Sequence, residues 1–311
     1  MECFAYTALL GRLENALATL HRALSSTNFS RARSALWGEL SKALFELVQT
    51  SLEKRRPPSL YASLLETLDV LHDSFGIGGG NATSEPSSRC ASPNPVRIDE
   101  CKEQEALDRE QLEQMRDLLR LHALETGDLI HRYHLDRLKE QESMTETPYG
   151  ILTVRCHLQG TQLRVEVMNA RNLKPMDNNG SCDPFVRISL LPEDRFVGVL
   201  KPKTQSQSKT MFPLYDETFI IPLSEEHLAI EDALISFNVK DKDFLGMSNQ
   251  YMAEAFMKLA DVSRDGESYE QIHLTLSRPT AIDSETSKAL ENRQGDKQAR
   301  EFLKKLKLKL A

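Results

Sequence analysis

The sequence predicts two architectures in succession, all-α and then all-β: an N-terminal helical bundle, an antiparallel eight-stranded sandwich and one closing helix. Three patterns carry this prediction. Leucines recur at spacings of three and four up to Phe75, apolar and polar residues alternate after Pro148, and helical spacing returns after Ser284.

Leu10, Leu13, Leu17, Leu20 and Leu24 form one helical stripe, and Leu36, Leu40, Leu44 and Leu47 form a second. The second stops at Lys54-Arg55-Arg56-Pro57-Pro58, where cations suit a helix C-terminus and proline cannot continue the ladder. Leu60, Leu64, Leu68, Leu71 and Phe75 form a third, with Ser59 as its cap and Gly76 as its stop. Three such helices must hide their stripes against one another, so residues 1–75 read as the first part of a bundle. Residues 76–98, with Gly78-Gly79-Gly80 and many Ser and Pro, read as a flexible linker or loop. In 99–147, Leu107, Leu112, Met115, Leu119, Ile130, Tyr133 and Leu138 predict one long helix, or two broken near Gly127, that completes the bundle.

Over 148–279 the period is two. Eight short strands are expected: Ile151 to His157, Leu163 to Ala170, Phe185 to Leu191, Val199 to Lys203, Glu217 to Pro222, Leu234 to Lys240, Gln250 to Met257 and Tyr269 to Leu276. Their spacing predicts an antiparallel sandwich. The last segment, 280–311, places Ala299, Phe302, Leu303, Leu306 and Leu310 on one face among many lysines and reads as a basic amphipathic helix.

Composition narrows the function. A net charge of -7 argues against a nucleic-acid coat, which needs a broad basic surface. The five cysteines, Cys3, Cys90, Cys101, Cys156 and Cys182, are odd in number and form no C-x-x-C pair, which suits a reducing cytosol. No apolar run approaches a membrane span, so a cytoplasmic protein is expected. His131 and His134 sit three apart without any H-E-x-x-H, and Gly78-Gly79-Gly80 lacks the Lys-Ser/Thr of a phosphate loop. An enzyme is not expected.

The chemistry concentrates in two loops of the predicted sandwich. Asp177-Asn178-Asn179-Gly180-Ser181-Cys182-Asp183-Pro184-Phe185 carries two carboxylates, and Asp241-Lys242-Asp243 carries two more. With Leu173 ahead of Asp177, this resembles a C2 domain, whose first loop reads L-x-x-x-D-x-x-G-x-x-D-P-[FY] and whose third reads D-x-D. Thr210 to Phe219 resembles the T-x-x-P-x-[FWY]-[ND]-E-x-[FW] segment of the same family. An EF-hand is excluded, because its sixth and twelfth positions would be Cys182 and Ile188. Calcium takes about 6 to 8 oxygen ligands, more than one such loop supplies. The resemblance implies that Asp177, Asp183, Asp241 and Asp243 bind Ca2+ through carboxylates, with backbone carbonyls of Met176 and Lys242. The family's fifth aspartate falls at Asn249, and the lost charge implies weaker affinity. The bland reading of these aspartates is turn formation.

Phe244, Leu245 and Met247 stand at the expected tip of the third loop, each able to contribute roughly 1.5 to 3 kcal/mol if fully buried in lipid. Packing under the loop is the rival role for Met247. Lys201, Lys203 and Lys209 form a candidate basic face for acidic headgroups, or only a solvated edge.

The order of bundle, C2 domain and basic helix, with Leu52 to Pro58 and Gln298 to Lys307, resembles the C-terminal end of the Unc-thirteen (Munc-thirteen) family, where the bundle is the second Munc homology region. The resemblance implies vesicle priming and tethering in exocytosis, with an anionic phospholipid membrane and SNARE proteins (syntaxin-like helices) or other vesicle-trafficking proteins as partners. It implies a peripheral location at secretory vesicles or the plasma membrane. Family members are longer, so the chain is expected to be a fragment or a short product. The alternative is a calcium-independent C2 scaffold for protein contacts.

Overall fold

A computed structural model describes residues 2–53, 56–75, 110–175, 182–242, 249–264, 269–279 and 284–310; the side chains of 2–10 and 53 are outside it. The chain divides into two compact units, Met1–Leu124 and Glu125–Ala311.

The first unit holds α1 (Glu2–Ala23), α2 (Ser26–Glu53), α3 (Pro58–Phe75) and α4 (110–123). Ser25 separates α1 from α2: its carbonyl accepts from the Phe29 N–H at 2.8 Å and its hydroxyl from the Asn28 N–H at 3.4 Å, the arrangement of a helix N-cap. The third helix starts two residues earlier than its Ser59 cap implied. Pro58 takes the first helical position, where a missing N–H costs nothing. The helices converge, burying Trp37, Val48, Tyr61, Leu68, Leu71 and Phe75 against Leu112, Met115 and Leu119 of α4. The α2 stripe is corrected, since Leu36 and Leu47 are exposed and the buried face runs one residue later through Trp37 and Val48, with Leu40 and Leu44 at its margin. Arg116 of α4 donates to Asp69 of α3 at 2.8 Å, pinning the two helices at the rim.

The second unit begins with α5 (Thr126–Ser143). The helical stretch breaks at residues 124–125, two residues before Gly127, and its halves fall in different units. The reason is where each stripe is buried. Leu112, Met115 and Leu119 enter the bundle core, whereas Leu138 packs with Leu191, Leu234 and Phe256 of the sandwich.

Among the described residues the strands that follow are β1 (Ile151–Gln159), β2 (Gln162–Arg171), β3 (Pro184–Leu191), β4 (Leu214–Pro222), β5 (Leu234–Asp241), β6 (Gln250–Lys258), β7 (Ser263–Arg264) and β8 (Ile272–Thr275). One sheet runs β4, β2, β1, with β7 and β8 sharing the far edge of β1; the other runs β3, β5, β6. Alternate residues such as Val154, Cys156, Val165 and Val167 face Val186, Ile188, Ile235, Phe237 and Val239 across the core. Two strand expectations are corrected. Val199 to Lys203 makes only one isolated bridge, Lys203 to Arg187, because Pro202 has no N–H to extend a ladder. The two-residue β7 pairs parallel to β1, so the pairing is mixed.

Short α6 (Glu225–Leu228), α7 (Glu285–Glu291) and α8 (Lys297–Leu310) complete the unit. Asp296 caps α8 by accepting from the N–H groups of Gln298 at 2.7 Å and Ala299 at 3.1 Å, and Thr126 of α5 donates to its other oxygen at 2.6 Å. The closing helix is therefore fixed to the sandwich. Phe302 meets the rings of Tyr133 and His134 edge-on, and His134 also meets Phe256.

Two expectations follow from this packing. Leu68 is 2% exposed in the bundle core, so Leu68→Asp buries an unpaired charge and is expected to abolish the melting transition of the first unit while that of the second persists. Differential scanning calorimetry of both proteins checks this. Burial, with Lys309 adding to it, pushes His134 from an ordinary 6.5 down to about 4. The unfolded chain takes up a proton that the folded chain refuses, so stability is full above pH 6.5 and falls as pH drops from 6.5 toward about 4. By pH 5 the loss is about 2 kcal/mol. His134→Gln is expected to flatten the change in melting temperature between pH 7 and pH 5.

Candidate metal and membrane site

The two acidic loops meet through the second sheet. Pro184 opens β3 and pairs with Asp241, the last residue of β5, so Asp183 and Asp241 stand side by side at one end of the sandwich. Antiparallel pairing brings together residues far apart in sequence. The Asp183 N–H donates to Asp241 Oδ1 at 2.6 Å, and the Lys242 N–H donates back to the Asp183 carbonyl at 3.1 Å. A charge-assisted bond to a backbone N–H is among the stronger kinds, and it fixes the direction of the 6% exposed Asp241 carboxylate.

Asp183 is held from a third side. Its Oδ1 accepts from the Lys209 N–H at 2.7 Å, and Lys209 adopts a left-handed backbone with φ of 53° to present it. Beside it, the Thr210 N–H donates to the Cys182 carbonyl at 2.9 Å and the Cys182 thiol donates to the Thr210 carbonyl at 3.2 Å. Cys182 is thus a buried strut of the loop end.

Of the proposed calcium ligands, Asp183, Asp241 and Lys242 are brought together here. Met176, Asp177 and Asp243 lie outside the described residues, as do Phe244, Leu245 and Met247. Among the described residues no group of three or more His, Cys, Asp or Glu gathers as a metal cluster. The described donors are nevertheless of the right kind: two adjacent carboxylates, hard oxygens suited to a hard divalent cation. With Asp177, Asp243 and the carbonyls of Met176 and Lys242 they would make the oxygen-only set that calcium needs.

The three lysines are not equivalent. Lys203 is exposed at its bridge to Arg187, with its ammonium 5.8 Å from the Phe185 ring centre. Lys201 pairs with Glu193 at 3.0 Å, and Lys209 contributes its backbone N–H to Asp183. Two further cations share the sheet face of Lys203 and were not singled out in the sequence: Arg187, and Lys240, which pairs with Phe185. Counting alternate residues along β3 and β5 finds both. Burial, then the charges of Arg187 and Lys309, hold the Lys240 ammonium below its ordinary range.

A model of the C2 domain family matches residues 161–274. The chain is 42% identical over 96% of its length to Protein unc-13 homolog 4B of Drosophila melanogaster, of which it covers 24%. It is 32% identical over 97% of its length to BAI1-associated protein 3 of Mus musculus, of which it covers 25%. The chain spans about a quarter of the length of these curated relatives. Among solved structures, the third C2 domain of KIAA1228 protein matches 46% of this chain and 97% of its own, at 23% identity and a TM-score of 0.36.

The hydrogen bonding separates structural from ligand roles. Asp241→Ala leaves the partly buried Asp183 N–H without its acceptor and is expected to cost about 1 to 2 kcal/mol of stability in the second unit. Asp183→Asn keeps an oxygen for Lys209 and is expected to cost under about 1 kcal/mol. Urea unfolding of the two variants measures the difference.

Proposed function

The chain belongs to the Unc-13 family, and from that premise we propose that it is a calcium-responsive phospholipid-binding and tethering module of the exocytosis machinery. In this reading it corresponds to the C-terminal region of the family, with the second Munc homology region in its helical unit. The observation that carries the reading is the backbone-locked meeting of Asp183 and Asp241 at one sandwich end, with Lys209 beside them. The proposed ligand set is Asp177, Asp183, Asp241 and Asp243 with the Met176 and Lys242 carbonyls.

The proposed mechanism is electrostatic. Without the metal, the loop carboxylates oppose an anionic bilayer and cancel the attraction of Lys201, Lys203 and Lys209. When bound, calcium supplies the positive charge that neutralises them. Phe244, Leu245 and Met247 then enter the interface, while the lysines add attraction that salt screens over about 8 Å at physiological strength. No helix among the described residues is long and apolar enough to cross a membrane, which accords with a peripheral attachment at secretory vesicles or the plasma membrane.

The helical unit supplies the proposed tether. Leu36, Phe45 and Leu47 of α2 and Val70 of α3 are each more than 40% exposed, a set of apolar positions suited to SNARE helices of the syntaxin kind or other vesicle-trafficking proteins. No catalytic step is assigned.

Co-sedimentation with phosphatidylserine liposomes, in calcium and in chelator, tests the reading. Calcium is expected to raise binding of the wild type, and Asp177→Asn with Asp183→Asn to remove that increment. Phe244→Ala with Leu245→Ala should weaken calcium-dependent binding at every salt concentration, whereas Lys201→Ala with Lys203→Ala should weaken it mainly at low salt. Identical wild-type binding in calcium and chelator, with no heat on calcium titration, would leave the calcium-independent scaffold as the correct reading.

A further inference from the structure

The closing helix is amphipathic and basic, and a free helix of that composition lies apolar face down on a membrane. In α8 that face is already taken. Ala299 and Leu306 are buried, Phe302 meets Tyr133 and His134, and Lys309 reaches inward to Glu254 at 2.5 Å. What remains is the opposite face, formed by Lys297, Arg300, Glu301, Lys304, Lys305, Lys307 and Leu308. Lys304, Lys305 and Lys307 have no ion-pair partner among the described residues, and Leu308, 67% exposed, stands in their midst. An open hollow beside it is lined by Gln294, Arg300, Leu303, Lys304, Lys307 and Leu308, with the Arg300 guanidinium anchored on the Gln294 carbonyl at 2.8 Å.

We propose that this outward face of α8 is a second membrane contact, one that docks on an anionic phospholipid bilayer without calcium. Three observations choose this occupant. Five cations face one carboxylate on a chain whose net charge is -7, so the attraction is local and selects an anion. The face is a convex helix surface with a lone exposed leucine among lysines, which suits an extended interface that accepts one apolar anchor and many headgroups. Its position also fits. Lys309 lies 5.0 Å over the Tyr251 ring, Tyr251 is the residue after Gln250, and Gln250 pairs with Asp241, so α8 runs along β6 toward the end that carries the aspartates. On its flank, Glu193, the partner of Lys201, also feels the charge of Lys305, so a carboxylate already paired with Lys201 borders the helix face on that side. The contact is independent of the calcium reading, since none of its residues belongs to the loops.

The test uses the full chain and vesicles of phosphatidylcholine with or without phosphatidylserine, in chelator throughout. The wild type is expected to bind the anionic vesicles and not the neutral ones. Each basic residue near such a surface is worth roughly fivefold in partitioning, so K304Q, K305Q and K307Q together should weaken binding about a hundredfold. All three side chains are exposed, and an unchanged melting temperature verifies the fold. Glu301→Lys changes the charge by two and should strengthen binding to anionic vesicles roughly twenty-five-fold, at an unchanged melting temperature. Asp177→Asn with Asp183→Asn removes two charges that oppose the bilayer and should bind at least as tightly as the wild type in chelator, which separates this contact from the loops. The proposal is overturned if the triple variant binds like the wild type, if neutral vesicles bind as well as anionic ones, or if the loop variant loses binding in chelator. It is also overturned if the triple variant loses only the capture of a short RNA or an acidic peptide.

Discussion

Glu254 is a carboxylate in the middle of a strand whose neighbours are apolar, and it is 1% exposed. A buried charge is tolerated only when opposite charge and hydrogen bonds replace the water it has lost. Here two helices supply that charge: Lys309 of α8 at 2.5 Å and Arg137 of α5 at 3.6 Å. Burial disfavours the ionised form, and Lys309 and then Arg137 outweigh it, so the carboxyl stays below its ordinary range. Arg137 continues to Ser277 at 2.7 Å, and Ser277 exchanges two backbone bonds of 2.9 Å with Glu254. Removing either cation would strand the carboxylate, so the placement of both helices is coupled to one strand residue.

The same helices cover an edge. On the described residues β6 ends its sheet, and an open edge is a template for unwanted pairing. Gln141 of α5 imitates a neighbouring strand, donating to the Phe256 carbonyl at 2.9 Å and accepting from its N–H at 2.7 Å. Thr286 of α7 donates to Asp136 at 2.9 Å, which holds the cap together beyond the sheet. The helix before the sandwich and the two after it therefore work as one lid over β6.

The alternation of apolar residues made the strands readable, since a half-buried sheet imposes a period of two whatever covers it. The leucine stripes made the helices readable for the same reason. A stripe states that a face is buried but not against what, which is why residues 126–143 looked like bundle and are found on the sandwich. Glu254 within Gln250 to Met257 was the available signal, because a carboxylate inside such a strand requires cations from elsewhere. At the site, the spacing of Asp183 and Asp241 was readable. The N–H of Lys209 was not, because it depends on a left-handed residue twenty-six positions later in the chain.

These constraints bear on how calcium would act in the proposed function. A ligand shifts a conformational equilibrium only where it interacts differently with two states. The ladder of β3, β5 and β6 runs from Asp241 to Leu234 with one register shift, between Val239 and Lys240, and the lid over β6 is tied down by paired charges and a clamped backbone. Neither element offers a second packing that the loop aspartates touch. In the proposed function their influence on docking would then be one of charge, added to that of the adjoining sheet face with Lys240, Arg187 and Lys203. In that reading, neutralising the carboxylates would unmask basic side chains that the folded sandwich already carries.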